Sequence, residues 1–285
     1  MTEVVKEKST GTPGEEKWKF VKPDPRKDRP VDADTMTQLL TMLPQKASQF
    51  LAETPSEADL AKWGLDPKAP RLKVTLGLDT GPPPVGGTPP ADADKERVYY
   101  FGNPTADGNS VYARVEGKAA VFAAPKAVFE RFSTADLRDK TVVRFDKAKV
   151  KQVRLRGWKE KTGFEVALTF DRKDGTWAVA KAPGKYDLDP AKVDKFLDAV
   201  NGLKAKAFVP GGPKPEYKLV PEANGMEVTL ELEGSPGITL FVGGPTDGDT
   251  SLYVQTSTLP AGENIVTVAA DVFKGYKAES GSFAK

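Results

Sequence analysis

The chain has 285 residues, 39% of them hydrophobic and 29% charged, a balance that supports a core large enough to need no cross-links. Its 42 basic and 40 acidic residues leave a net charge of +2, so no global field draws it to nucleic acid or to anionic membranes. With no cysteine and no histidine it is denied disulfides, thiolate chemistry, Ser-His-Asp or Cys-His catalysis and ordinary zinc sites, while Ser-Lys, carboxylate-pair and all-oxygen cation chemistry stay open.

Residues 1 to 16 are mostly charged or polar, with Val4 and Val5 the only adjacent large apolar pair, and supply no signal-peptide core. The longest apolar run, Ala119 to Ala124, falls far short of the roughly 20 residues that cross a bilayer. A short strand is predicted around Glu3 to Glu7 and a second at Trp18. A proline-containing turn then leads to Asp32, placed to cap an amphipathic helix. In that helix Met36, Leu39, Leu40 and Leu43 keep the i, i+3, i+4, i+7 spacing of one buried stripe. Ala47 to Leu51 reads as an extended return and Ser56 to Lys62 as a short helical turn. Val74, Leu76 and Leu78 alternate as a strand with one buried face. Asp79 to Arg97 is rich in proline and glycine, which predicts a mobile loop between strands. A hairpin turning at Asp107-Gly108 follows, then a strand at Ala120 to Ala123 and a short helix with Val128, Phe129 and Phe132.

Beyond LRDK at Leu137 to Lys140, strands are predicted at Val142 to Phe145, Val150 to Arg156 and Phe164 to Phe170, and from Trp177 the earlier order repeats. Asp189-Pro190 takes the place of Asp32 as a cap followed by a first-turn proline, and Val193, Phe196, Leu197 and Val200 repeat the apolar stripe. Trp63, Gly64, Leu65 and Pro67 match Tyr217, Lys218, Leu219 and Pro221 at a displacement of 154 positions. Val74, Leu76 and Leu78 match Val228, Leu230 and Leu232 at the same displacement. Pro104 and Tyr112 match Pro245 and Tyr253 at a displacement of 141, so the first copy carries thirteen extra residues. They fall in the loop 79–97, where the second copy has a short turn near Gly234 to Gly237. The chain closes with a strand at Ile265 to Val268 and a helix with Val272, Phe273 and Tyr276.

The repetition predicts an α+β fold of two tandem homologous units, 1–140 and 141–285, each a mainly antiparallel β-sheet with an amphipathic helix packed on it. The first unit has no counterpart of the strands that open the second. The chain is therefore expected to be an excerpt of a longer protein.

Four Asp-x-Asp pairs, Asp32/Asp34, Asp92/Asp94, Asp187/Asp189 and Asp247/Asp249, lack the spacing of a calcium loop and read as caps and turns. The pairs Gly86-Gly87, Gly211-Gly212 and Gly243-Gly244 continue into no phosphate-binding pattern and read as turns, and no cofactor is expected. Trp18 and Trp177 read first as core residues. The least ordinary stretch is Lys147 to Lys161, KAKVKQVRLRGWKEK, with seven basic residues and one acidic residue. On a strand, Val153 and Leu155 point inward and Arg154 and Arg156 outward. Lys149, Lys151, Arg154, Arg156 and Trp158 are thus candidates for a partner-binding face, toward phosphates, an acidic partner or lipid headgroups. The same run also reads as a solvated strand whose lysines guard against edge pairing.

FDKAKVKQVRLRG, KDGTWAVAKAP, DPAKVDKFLDAVNGLKAKAFV, WGLDP, FGNPTADGNSVYARVEG and DLRDK, taken in their order and repetition, resemble the bacterial family called domain of unknown function 4340 over roughly residues 15 to 278. That resemblance implies a tandem-repeat α+β protein of the cell envelope, on the periplasmic side. It also implies membrane association through an N-terminal anchor outside these residues or through a partner. Genes of such proteins often stand beside components of gliding-motility-type ABC transporters, which implies a non-catalytic accessory role with a protein partner and no nucleic acid. The resemblance carries over no catalytic residue. Two alternatives belong to other classes: a carboxylate-dependent hydrolase of envelope polysaccharide, and a small-ligand binding protein using a cleft between the units.

Overall fold

The computed structural model describes residues 1–7, 17–43, 49–77, 96–220, 222, 225–246, 248, 250–277 and 279–285. They fall into two units, Met1–Asp139 and Lys140–Lys285, each with its own core.

The first unit opens with β1 (Glu3–Lys6) and β2 (Trp18–Lys22), paired antiparallel as a separate two-stranded sheet. Helix α1 (Ala33–Met42) begins where Asp32 Oδ1 accepts the Thr35 amide at 2.8 Å, and it buries Met36 and Leu39. Then come β3 (Phe50–Ala52), α2 (Glu57–Lys62), β4 (Leu72–Gly77), β5 (Glu96–Pro104), β6 (Ser110–Val115), β7 (Val121–Pro125) and α3 (Lys126–Thr134). Ser56 and Asp59 close a reciprocal capping box on α2. The five strands form an antiparallel sheet in the order β3-β7-β6-β5-β4.

The second unit contains β8 (Val150–Gly157), α4 (Lys159–Thr162), β9 (Val166–Lys173), β10 (Thr176–Lys181), α5 (Pro190–Val200), β11 (Ala205–Phe208), β12 (Met226–Leu232), β13 (Ser235–Pro245), β14 (Ser251–Thr256), β15 (Ile265–Ala269) and α6 (Asp271–Lys277). Its strands make one eight-stranded antiparallel sheet in the order β10-β9-β8-β12-β13-β14-β15-β11. Asp189 caps α5 through the Ala191 amide at 3.0 Å, and Val193, Phe196, Leu197 and Val200 are each 0% exposed. They pack with Trp177, Leu155, Phe170 and Phe283 in a single core. Fully burying one such side chain contributes about 1.5 to 3 kcal/mol, which is why this stripe and the inward positions of the strands dominate the fold.

Each unit also has a smaller apolar cluster with matching members. In the first, Leu65, Val98, Tyr100 and Val121 pack with Trp63 and Tyr112; in the second, Tyr217, Leu219 and Ile265 pack with Phe241 and Tyr253. The Trp63 and Tyr112 rings stack at 5.0 Å, and those of Tyr217 and Tyr253 at 4.2 Å.

The expected strand at Val142 to Phe145 joins no sheet. Its backbone pairs instead with the loop after α5: the Val142 amide donates to Leu203 O, the Gly202 amide to Val143 O, and the Phe145 amide to the Asn201 side chain. Val142 and Val143 are still buried, so the apolar signal was real and only the partner differed. Glu96 and Arg97, expected in the long loop, begin β5. Most of that loop, like Leu78, Ala47 and the pair Asp247/Asp249, lies outside the described residues. The expected turn at Gly234 to Gly237 is shorter, since β13 starts at Ser235. Trp177 is 3% exposed and its indole N–H donates to Asp194 Oδ1 at 2.9 Å. Trp18 is half-buried, and its indole nitrogen is buried with no partner among the described residues.

Candidate functional site

The basic residues singled out in the sequence belong to β8, and its position decides what they do. It lies between β9 and β12, so it is no edge strand, and the reading of its lysines as guards of an edge in the folded unit is corrected. Val150, Val153 and Leu155 point into the core and are at most 1% exposed. The outward side chains meet acids from neighbouring segments.

Lys151 Nζ stands 3.2 Å from Glu233, and Arg154 Nη2 is 2.7 Å from Glu231. Arg156 is the centre of the group. Its Nε and Nη2 donate to the two oxygens of Glu165 at 2.8 and 3.0 Å, its Nη1 donates to Glu227 at 2.8 Å, and Glu222 lies 3.5 Å from Nη2. The hydrogen bond to Glu165, reinforced by the charges of Glu227 and Glu222, holds the guanidinium above its usual pKa against the opposing effect of desolvation. Beside it, Gln152 donates to Asp171 at 2.7 Å. Three basic side chains therefore meet five glutamates. The face has mixed charge, and it is not the basic patch that the sequence run suggested.

Lys149 is exposed at the end of a single 3-10 turn, Lys147–Lys149, where its carbonyl accepts the Glu233 amide at 2.8 Å. Trp158 leaves the surface altogether. It is 5% exposed, sits in the left-handed region with φ 60°, and its indole donates to the Tyr276 carbonyl at 3.1 Å. Lys151, Arg154 and Arg156 thus share one sheet face, Lys149 flanks it, and Trp158 belongs to the core.

A second feature escaped the sequence reading. A cleft of about 610 Å³ beside α6 is lined by Lys206, Lys274 and Lys277, with Asp271, Thr250, Leu252 and Phe273. Burial pushes the Lys277 pKa down, with Glu160 acting in the opposite sense, and its amine donates to the Gly243 carbonyl. The Lys206 amine donates to the Thr250 carbonyl at 3.0 Å. The one available signal was the pair Lys274 and Lys277, three apart on a helix, and it is no different from any solvated helix face.

The family model described as Domain of unknown function (DUF4340) matches residues 18–221 and, in a second overlapping segment, residues 177–284. The two matches begin at Trp18 and Trp177, the equivalent tryptophans of the two units. No curated protein and no solved structure matches the chain.

Proposed function

As this chain belongs to the family of domain of unknown function 4340, we propose that it is a non-catalytic interaction module of the bacterial cell envelope, an accessory to an ABC-transporter-like assembly on the periplasmic side. The observation that carries this reading is the mixed-charge face of β8 and β12. Arg154 and Glu231 are both 49% exposed, and they are held on the backbone of an eight-stranded sheet. A rigid surface presenting both signs of charge complements another folded protein, because alternating charges set register and reject wrong partners. Phosphates or lipid headgroups would require basic groups not already neutralised. The carboxylates that a hydrolase would need on this face are committed to Arg154 and Arg156. Among the described residues no helix is long and apolar enough to cross a membrane, so membrane association would run through the partner or through a segment outside these residues.

The test is co-sedimentation with native membranes at low and moderate salt, wild type against Lys151→Glu with Arg154→Glu, with cross-linking to identify what is captured. Wild-type association should weaken with salt and fall in the variant, with transporter-type subunits among the captured proteins. Equal sedimentation of both proteins at both salt levels would sink the reading.

The lysine-lined cleft beside α6 favours a second reading, a binding site for a small anion, to be separated from the first by calorimetry with inorganic phosphate on wild type and Lys274→Ala.

A further inference from the structure

Resting on the reading of the cleft beside α6 as an anion site, we infer that its ligand is a phosphate monoester with an apolar body: the phosphate is gathered by Lys206, Lys274 and Lys277, and the body lies along the apolar floor.

The charge of this cleft is not cancelled as it is on β8, where the basic side chains face glutamates. Lys206 and Lys277 each donate to a backbone carbonyl, that of Thr250 and that of Gly243, and Lys274 has no hydrogen bond or ion pair among the described residues. A carbonyl fixes where an ammonium group sits and leaves its charge intact, so two of the three cations are already ordered for an incoming anion. Asp271 stands on the same wall, and the three lysines outnumber it. Lys274 and Lys277 also border a second hollow of about 270 Å³, to which Lys159 and Lys161 add two cations and Glu160 one acid. Lys277 is the member most in need of a counter-charge. Burial pulls its pKa down, and Glu160 and Lys218 act on it in opposite senses. An anion seated beside it favours the charged form.

The duplication shows that the fold does not require these lysines. Val272, Phe273 and Tyr276 of α6 match Val128, Phe129 and Phe132 of α3 at a displacement of 144, which sets Glu130 and Ser133 where the second unit has Lys274 and Lys277. Glu130 pairs with Lys126 at 3.3 Å along its own helix. The apolar positions are therefore common to both helices, and the basic rim belongs to one.

The kind of cation selects the anion. The cleft is lined by lysines and by no arginine. A planar carboxylate is best matched by the guanidinium fork, whereas ammonium groups converge as point charges on a tetrahedral phosphate. Size and lining supply the rest. A volume of about 610 Å³ falls within the roughly 300 to 1,000 Å³ of small-molecule pockets, and Leu252, Ala269, Ala270 and Phe273 make the floor apolar. A phosphate held by the lysines leaves that floor to be covered by the rest of the ligand.

Calorimetry on the full chain compares inorganic phosphate, hexyl phosphate and hexanoate. Hexyl phosphate should bind at least about tenfold more tightly than inorganic phosphate, the gain from burying about two methylenes, and more tightly than hexanoate by a similar factor. Lys274→Gln, at an exposed position, should weaken both phosphates about fivefold without moving the unfolding midpoint. Lys185→Gln, exposed and outside the cleft, should alter neither. Flotation with phosphatidylcholine vesicles, with and without phosphatidic acid, separates the sources of such a phosphate. Capture that needs both phosphatidic acid and Lys274 supports a lipid headgroup, and tight hexyl phosphate binding without capture supports a soluble ester. Lys274-dependent phosphate binding that gains nothing from the hexyl chain, or that hexanoate equals, would overturn the inference and leave a plain anion site. No binding of any of the three, or binding indifferent to Lys274, would remove the anion site as well.

Discussion

The carbonyl oxygen of Trp63 lies 2.0 Å from where a β-carbon on Gly102 would stand, and Tyr217 and Gly243 repeat that relation at 2.0 Å in the second unit. In both units a loop is pressed onto a sheet strand at a point with no room for a side chain. Backbone cannot yield as a flexible side chain can, so Gly102→Ala and Gly243→Ala should each destabilise by at least about 1 to 3 kcal/mol. Gly184→Ala, which meets nothing within 4 Å, should be near neutral. Denaturant unfolding of the three variants checks this; three indistinguishable midpoints would refute the close approach.

The helical stripes match in sequence but not in burial. Leu197 is 0% exposed, whereas its counterpart Leu40 is only half-buried and Leu39, at 4%, takes the deeper place. Leu197→Ala should cost about 2 to 5 kcal/mol, and Leu40→Ala clearly less. Unfolding free energies of the two variants decide it, and equal losses would argue for equivalent packing of α1 and α5.

Arg156 should behave as a structural residue and its neighbours as surface charges. Removing its guanidinium takes the charged donor from Glu165, 27% exposed, and leaves Glu227, 19% exposed, only the Thr229 hydroxyl at 3.5 Å, so Arg156→Gln should destabilise by about 1 to 3 kcal/mol. Lys151→Gln and Arg154→Gln, whose pairs are half-exposed or more, should stay within about 0.5 kcal/mol of wild type. Urea titrations of the single variants make the comparison.

Asp136 gives a prediction in pH. Burial alone would raise its pKa, but hydrogen bonds from the Arg138 side chain, at 2.8 Å to Oδ1, and from its backbone outweigh that and hold the carboxyl below the usual range. As pH falls from about 3.9, the unfolded chain therefore takes up a proton before the folded one does. The stability this group contributes is complete above that pH and is lost as pH falls through the lower folded value. Asp136→Asn should be less stable than wild type at pH 7, with the gap closing in that acid window. A gap that is constant from pH 7 to pH 3 would contradict the assignment.

The repeat, the caps at Asp32 and Asp189 and the buried stripes were legible because each rests on short-range rules, a side-chain acceptor at a helix start or a period of 3.6 residues. Val142 to Phe145 shows where those rules stop. Its apolar alternation announced burial correctly but could not say that its amides and carbonyls would pair with a loop near residue 203 and not with a strand. The candidate site was misread for the same reason. Lys151, Arg154 and Arg156 stood out by composition, while the glutamates that neutralise them come from as far as 82 residues along the chain, the separation of Lys151 and Glu233. Trp158 looked like an extension of that surface, and only the left-handed turn after Gly157 carries it inside.

The pairing of β8 with β12 also sets an order in time. The first unit's meander from β4 to β7 joins neighbours in sequence, whereas β8 waits for a partner 71 residues away at the Arg156–Glu227 contact. Long-range strand pairing is slow, and on the ribosome β8, β9 and β10 are complete well before β12 has been made. During that interval β8 is an edge after all. Its lysines and arginines, redundant as guards in the finished sheet, then act as gatekeepers for a nascent hairpin; Glu165 already meets Arg156 from the β8–β9 connection, while the acids in and just after β12 reach Lys151, Arg154 and Arg156 only when the sheet closes.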